Sequence, residues 1–481
     1  MFELNFLFYL SPIICTISGL HLTLFWDIIF LLEKLQQGSE NMNLQEYISS
    51  LRGKRIAVLG MGISNRPLVA LLAAAGLDVT VRDKQDLPPM EGVKCICGAD
   101  YLKDLTEDVV FRTPGLRPDG IPLKPGAELT SEMEVFFRLC PCPIFAVTGS
   151  DGKTTTTTIL SELLKTAGKR VWLGGNIGRP LLDQVDKMAP EDCAVVELSS
   201  FQLMSMSMSA GTAIITNVQP NHLDWHRDMA EYARAKKNIF LHQGVGDLLV
   251  LNADDSVSSA FAPEAPGKVR FFSRREKQPS GCWFDGETVW FADEPILRRE
   301  EIRLPGLHNI ENYMAAFCAA YPLVGREVCR RVAMEFSGVE HRLELVREKD
   351  GVRYVNDSIA SSPSRTIAGL RALEGQSIVL IAGGYDKHIP YAPLGEEIPG
   401  RVRVLVLTGP TGPKIREAVL AAGGETPKII EKQNFREAVL AAAAEAKPGD
   451  TVLLSPASAS FDAFKNFEER GNTFKQIVRE L

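Results

Sequence analysis

The run Phe145-Ala-Val-Thr-Gly-Ser-Asp-Gly-Lys-Thr-Thr joins an apolar segment to two glycines, a lysine and a row of hydroxyls. These residue types in this order make a cradle for a triphosphate. Gly149 and Gly152, with Ser150 and Asp151 between them, let backbone N–H groups close around phosphate oxygens. Lys153 brings a point charge toward the β- and γ-phosphates, and Thr154, followed by Thr155, offers a hydroxyl to Mg²⁺ where a helix begins. The usual loop has four residues between its glycines. This one is shorter, but an apolar strand before it and a helical Thr154–Ala167 after it supply the required setting. The sequence therefore predicts a nucleotide site.

Two further groups have types suited to the same chemistry. Glu197 ends the apolar run Cys193-Ala-Val-Val-Glu, and a carboxylate at such a strand end can hold Mg²⁺ against a triphosphate. His222 and Asp224 follow Ala213-Ile-Ile-Thr-Asn-Val-Gln-Pro-Asn, where strand ends converge on the ligand crevice of a parallel sheet. Earlier in the chain, Gly60-Met-Gly-Ile-Ser-Asn has the form of a dinucleotide turn with Asn65 at its third glycine position, and Asp83 lies about 20 residues beyond. That turn predicts a bound nucleotide whose diphosphate rests on a helix start, without requiring NAD.

The elements that position these residues alternate short β-branched runs with Ala/Leu-rich helical stretches, the pattern of α/β parallel sheets covered by helices. At 481 residues the chain holds about three domains. Expected boundaries are 42–141, 142–340 and 341–481. Expected strands include Arg55–Leu59, Val79–Asp83, Val352–Val355, Ile378–Ile381, Val402–Leu407 and Thr451–Leu454, with a helix over Pro67–Ala75. The net charge of -7 and the lack of a broad basic patch argue against nucleic acid as a partner. Nine scattered cysteines suit a reducing cytoplasm, and neither Cys95-Ile-Cys97 nor Cys140-Pro-Cys142 has zinc-knuckle spacing. From Leu4 to Trp26 there is no formal charge apart from His21, a length near the ~20 residues that cross a bilayer. Residues 1–41 are expected to be a hydrophobic leader with no part in the chemistry. Membrane association is expected only if that leader is a genuine anchor.

Taken in order, the motifs resemble the Mur ligase family over roughly Met42 to Leu481. Thr148-Gly-Ser-Asp-Gly-Lys-Thr-Thr, Gly174-Gly-Asn-Ile-Gly, Leu307-His-Asn-Ile-Glu-Asn, His341-Arg and Asn356-Asp-Ser carry the likeness to the family. Glu197-Leu-Ser-Ser-Phe-Gln-Leu and Leu454-Ser-Pro-Ala-Ser-Ala-Ser-Phe-Asp-Ala-Phe-Lys-Asn-Phe-Glu-Glu-Arg-Gly resemble its D-glutamate-adding branch. The resemblance implies a Rossmann-like first domain, a central P-loop ATPase-type parallel sheet and a Rossmann-like last domain. It also implies a monomer whose small-molecule substrates are ATP, UDP-N-acetylmuramoyl-L-alanine and D-glutamate, joined through an acyl phosphate with the help of two Mg²⁺ ions.

Residue by residue, the resemblance gives Gly149, Ser150, Asp151, Gly152, Lys153, Thr154 and Thr155 to ATP, together with Asn309, Asn312, Arg342 and Asp357. Thr154, Glu197, His222 and Lys236 become the metal set. Lys236 matches a lysine that the family carbamylates, with neighbouring Lys237 as the alternative. Lys153, His222, Lys236 and Arg342 form the catalytic group. Ile63, Ser64, Asn65, Asp83, Thr113, Gly115 and Asn176 fall to the UDP substrate, and Lys387, Ser460 and Phe467 to D-glutamate, with Ser361 as a further candidate. Two positions depart from the family pattern: Asp151 stands where asparagine is usual, and Ile359 where many members carry lysine. The competing readings are a nicotinamide oxidoreductase, which leaves the phosphate loop without purpose, a P-loop switch, which needs no amine pocket, and a sister ligase for another amino acid.

Overall fold

Alternating β-branched strands and short helices generate three sheets in the computed structural model, which describes residues 42–62, 64–222, 225–304, 306–387 and 389–481. The leader at 1–41, Ile63 and Asp224 lie outside the described residues. The chain divides into two compact units, the first ending at Met334 and the second running from Glu335 to Leu481.

The first unit carries two sheets. Arg55–Leu59 lies at the centre of a five-stranded parallel sheet, between Asp78–Asp83 and Val109–Arg112, with Val93–Cys97 and Glu128–Thr130 at its edges. Its helix Asn65–Ala74 buries Leu68, Val69 and Leu72 on one face, the three-to-four residue spacing of an amphipathic stripe. The second sheet has nine strands. Val171–Gly175, Cys193–Glu197, Ile144–Thr148, Thr212–Ile215, Leu248–Asn252, Lys268–Ser273 and Cys282–Phe284 run parallel in that spatial order.

An antiparallel extension, Thr288–Phe291 and Glu294–Arg298, completes this sheet, which is therefore not wholly parallel. Strands buried on both faces, such as Cys193–Glu197, read as continuous apolar runs because helices cover both sides. One apolar cluster runs from Leu44, Ile56 and Phe111 through Val135 and Phe136 to Ala194, Ile215 and Phe240, so the two sheets of this unit share a core.

In the second unit the order is Glu344–Lys349, Val352–Asn356, Asp450–Leu454, Ser377–Ala382, Val402–Leu407 and Lys428–Glu431. Only Glu344–Lys349 pairs antiparallel, as an edge hairpin. Apolar clusters lie on both faces of this sheet, one around Leu380, Leu394 and Ile415 and the other around Val404, Val439 and Phe474. The central strands are thereby shielded from water, and their C-terminal ends open into loops.

Among the described residues no helix is long and apolar enough to cross a membrane.

Candidate active site

The phosphate loop leaves the strand Ile144–Thr148 and enters the helix Lys153–Thr166. Both of its glycines are required by their surroundings. Gly149 has φ 152° and Gly152 φ 77°. A Cβ on the first would lie 1.8 Å from Thr216 Oγ1, and one on the second 2.2 Å from Asn312 Oδ1. The loop is held from the neighbouring strand end. Thr216 Oγ1 donates to Asp151 O at 2.6 Å, and Asn217 Oδ1 accepts from Asp151 N at 3.0 Å. Ser150 N donates to Asn217 O at 3.0 Å, and Ser150 Oγ meets Gln219 O at 2.8 Å and Tyr232 Oη at 3.0 Å. Lys153 Nζ lies over the loop, donating to Ser150 O at 2.8 Å.

Asn309 and Asn312 stand on the helix Leu307–Glu335, hydrogen-bonded to each other at 3.2 Å. Asn312 also accepts from Thr156 Oγ1 at 3.2 Å. Two asparagines distant in sequence are thus brought against the first turn of the phosphate-loop helix.

Glu197 sits at the adjacent strand end, 1% exposed. Asn176 Nδ2 donates to its Oε1 at 2.8 Å, while its Oε2 is buried without a hydrogen-bond partner. An orphaned carboxylate oxygen at that depth costs free energy unless a ligand meets it, and a hard oxygen donor suits Mg²⁺. The orphaned oxygen of Glu197 therefore fits a magnesium ion. Among the described residues no cluster of three or more His, Cys, Asp or Glu side chains could hold a metal, so a metal here depends on hydroxyl, water and phosphate oxygens as well.

Lys236 projects from the helix Met229–Lys237 and is 1% exposed. Its Nζ donates to Gly149 O at 2.7 Å and lies 4.5 Å from the Tyr232 ring centre. Burial, reinforced by the positive charge of Lys153, holds this amine well below the ordinary lysine value, while Asp151 and Glu197 oppose the shift. Lys237 points elsewhere, to Glu264 and the face of Phe261. His222 adopts φ 55° and packs edge-on to Phe201, the ring centres 4.9 Å apart.

In the five-stranded sheet, Asp83 Oδ2 accepts from Met61 N at 2.7 Å, which fastens the glycine turn to the end of the next strand. Asn65 faces inward, its Nδ2 donating to Gly60 O at 2.8 Å, so it braces the turn that sequence spacing offers to a diphosphate. Ser64 precedes the helix without capping it. Thr113 N bonds Leu59 O at 3.0 Å, which places Thr113 beside the same turn. Gly115 O accepts from Trp225 Nε1 at 3.4 Å.

Two arginines that the sequence does not single out tie this loop to the nine-stranded sheet. Arg112 is 1% exposed. It donates to Leu116 O at 2.7 Å, Phe201 O at 2.8 Å and Ser205 Oγ at 2.9 Å, and also reaches the carbonyls of Thr113 and Pro114. Burial lowers it to about 10. Arg117 forks onto Glu231 at 2.9 and 3.1 Å and donates to Trp225 O at 2.7 Å. The hydrogen bond from Arg117 holds the Glu231 carboxyl down at about 2. Glu231 lies on the helix that carries Lys236, so the Thr113–Arg117 loop and the Lys236 helix are fixed to each other.

Replacing Arg112 by methionine leaves several buried carbonyls without donors. It is expected to cost about 3 kcal/mol, read as a fall of roughly 5–10 °C in the melting temperature. An unchanged melting temperature would show that the clamp contributes nothing.

The second unit places Asp357, Lys387 and Ser460 on loops that follow the C-terminal ends of its strands. Asp357 is buried, accepting from Ser455 Oγ at 2.8 Å and Leu343 N at 3.3 Å. Desolvation raises it to about 7. Arg342 N bonds Val339 O at 3.1 Å in the turn before the first strand. Lys387 is exposed, Ser460 is buried, and Phe467 opens the helix Phe467–Glu480. The carbonyl of Phe467 accepts from Ser358 Oγ at 2.8 Å.

This arrangement, a short phosphate loop braced by a second helix and flanked by an orphaned carboxylate and a buried lysine, matches a known class. Residues 147–320 match the Mur ligase middle domain, and residues 341–458 the Mur ligase glutamate ligase domain. The chain belongs to the Mur ligase family. It is 49% identical over 465 residues to the UDP-N-acetylmuramoylalanine--D-glutamate ligase of Acetivibrio thermocellus, covering 92% of this chain and 99% of the relative. The enzyme of the same name from Clostridium novyi is 48% identical, with 91% and 99% covered.

Solved structures share the fold at low identity. MurF from Acinetobacter baumannii superposes with a TM-score of 0.55 at 17% identity, covering 89% of this chain and 92% of that one. MurC from Thermotoga maritima gives 0.53 at 18%, covering 89% and 99%.

Proposed function

We propose that this protein is an ATP-dependent ligase that joins D-glutamate to UDP-N-acetylmuramoyl-L-alanine in peptidoglycan precursor synthesis. The observation that carries this reading is the 49% identity, across 92% of the chain, to a ligase whose name states those substrates. The geometry supports it. A carboxylate is a poor electrophile at neutral pH, so one of its oxygens first attacks the γ-phosphorus of ATP and ADP leaves. The amine nitrogen of D-glutamate then attacks the acyl carbon, phosphate departs with the C–O bond electrons, and the nitrogen loses a proton as the amide forms.

Both steps are dominated by placement and charge neutralisation. Lys153 and the backbone of Gly149–Gly152 hold the triphosphate, and Asn309 and Asn312 brace that cradle. Ser64, Asp83, Thr113 and Gly115 line the crevice for the UDP portion in a Rossmann-like sheet, with Asn176 toward the acyl group. Thr154 and Glu197 would hold one Mg²⁺, and His222 with a carbamylated Lys236 a second, supplying positive charge against the phosphates. Lys387, Ser460 and Phe467 receive the amino acid, with Lys387 balancing a carboxylate.

The test is phosphate release from ATP with UDP-N-acetylmuramoyl-L-alanine and each of several amino acids. Turnover is expected with D-glutamate and to depend on both co-substrates. Preference for another amino acid would reassign the chain to a sister ligase. ATP hydrolysis indifferent to the acyl substrate would overturn the ligase reading.

A further inference from the structure

Arg470 lies one turn inside the helix Phe467–Glu480 and is 2% exposed. Its guanidinium forms no ion pair among the described residues; every partner is a carbonyl or a hydroxyl. Nη1 donates to Ser458 O at 3.1 Å and Ala459 O at 3.0 Å, Nη2 to Ser358 O at 3.0 Å, and Nε to Ser358 Oγ at 3.1 Å. A third loop joins at the same place, because Ala459 O also accepts from Tyr385 N at 2.9 Å. A Cβ on Gly384 would come within 3.2 Å of Arg470 Nη1.

These are the three loops at the C-terminal strand ends. Ser358 follows Asn356 and precedes Ile359, Tyr385 precedes Lys387, and Ala459 precedes Ser460.

A buried cation without an anionic partner is expensive, and proteins normally pair it. Burial lowers this guanidinium only to about 10, so it remains charged at neutral pH. No carboxylate among the described residues hydrogen-bonds it. Asp357 is engaged by Ser455 and Leu343 N, Asp386 is matched by Lys414 at 2.6 Å, and Asp462 interacts with Arg470 only through space. This charge, opposed by Asp462 only through space, underlies the segments that carry Lys387 and Ser460.

We propose that Arg470 is the positioning residue of the amine-acceptor subsite. Its side chain ties two of these loops together, the third joining through Ala459 O, and its charge makes the subsite selective for an amino acid that brings two carboxylates. This rests on the reading of the reaction given above.

The experiment measures the Michaelis constants for all three substrates in Arg470→Met and Arg470→Lys, with melting temperatures alongside. Arg470→Met is expected to raise KM for D-glutamate about 50-fold while KM for ATP and for the UDP substrate stays within about twofold. Arg470→Lys keeps one donor but, buried, holds its proton less tightly than arginine, so it is expected to recover part of that loss and to recover more of it as the pH is lowered.

Equal losses in methionine and lysine variants, or parallel rises in all three constants, would reduce Arg470 to a structural clamp and overturn the proposal. Should Arg470→Met not fold, Ser358→Ala removes one acceptor and leaves the charge in place. It is expected to raise KM for D-glutamate about threefold, and an unmoved KM would count against the proposal. If the parent protein forms no ADP with D-glutamate at all, the reading of the reaction falls, a result distinguishable from any of these.

Discussion

Lys153→Met is expected to lower kcat/KM for ATP about 1,000-fold while the protein stays folded. The lysine Nζ lies 2.8 Å from Ser150 O, above a loop whose other faces are taken by Thr216, Asn217 and Gln219. The two glycines permit no side chain that could replace it, since Cβ atoms there would meet Thr216 and Asn312. On the proposed reading the charge meets phosphate oxygens within this half-buried loop, where one such donor is worth roughly 10²–10³ in rate, more when it carries a full charge. Methionine keeps the length and loses the charge. The measurement is steady-state ADP formation together with a melting curve. Retention of activity within threefold, with an unchanged melting curve, would mean that the Gly149–Thr154 turn is a structural strand-to-helix connection.

Much of the architecture was legible because parallel strands buried on both faces leave an unambiguous apolar signature. The expected strands Arg55–Leu59 and Val402–Leu407 occur with those bounds. Val352–Val355 and Thr451–Leu454 differ from the observed strands by one residue, and the phosphate-loop helix begins at Lys153 instead of Thr154.

The hairpins formed by Cys282–Phe284, Thr288–Phe291 and Glu294–Arg298 are not among the expected strands, although Asp285-Gly286 at the first turn is a strong hairpin signal. Their strands are only three to five residues long, too short for alternation to stand out from the surrounding loop.

The arginine clamps were invisible for a different reason. Arg112 ends an apolar strand and Arg470 lies in a charged helix, so local pattern assigns both to solvent. Their partners, Phe201 and Ser205 for one and Ser358 for the other, are about 90 or more residues away in sequence. Asn65 shows the converse. The family resemblance gives it to the UDP substrate, and its buried amide donates to the carbonyl of its own turn.

Lys236→Arg is expected to lower turnover by at least about 100-fold, although it keeps a long basic side chain in a helix that stays folded. Carbamylation requires a neutral amine: the nitrogen lone pair adds to the carbon of CO₂ and one proton is released, leaving an anionic carbamate. Burial of Lys236 against Gly149 O, next to Lys153, depresses its proton affinity and so favours that neutral amine at lower pH than for an ordinary lysine. Arginine remains protonated and cannot react in this way.

Unfolded, the lysine binds its proton up to about 10.4; folded, it releases it at lower pH. In that window the unfolded state holds more protons, so the contribution of Lys236 to stability rises with pH and falls as the solution is acidified. Acidification and CO₂ depletion should therefore reduce activity together, and restored bicarbonate should recover it at mildly alkaline pH. ¹³C-labelled bicarbonate should give a carbamate resonance in the parent protein that is absent from Lys236→Arg and retained in Lys237→Arg, since Lys237 is already engaged by Glu264. A resonance that survives in Lys236→Arg and vanishes in Lys237→Arg would transfer the modification to the neighbouring lysine. Full activity of Lys236→Arg without any such resonance would remove carbamate chemistry from the mechanism.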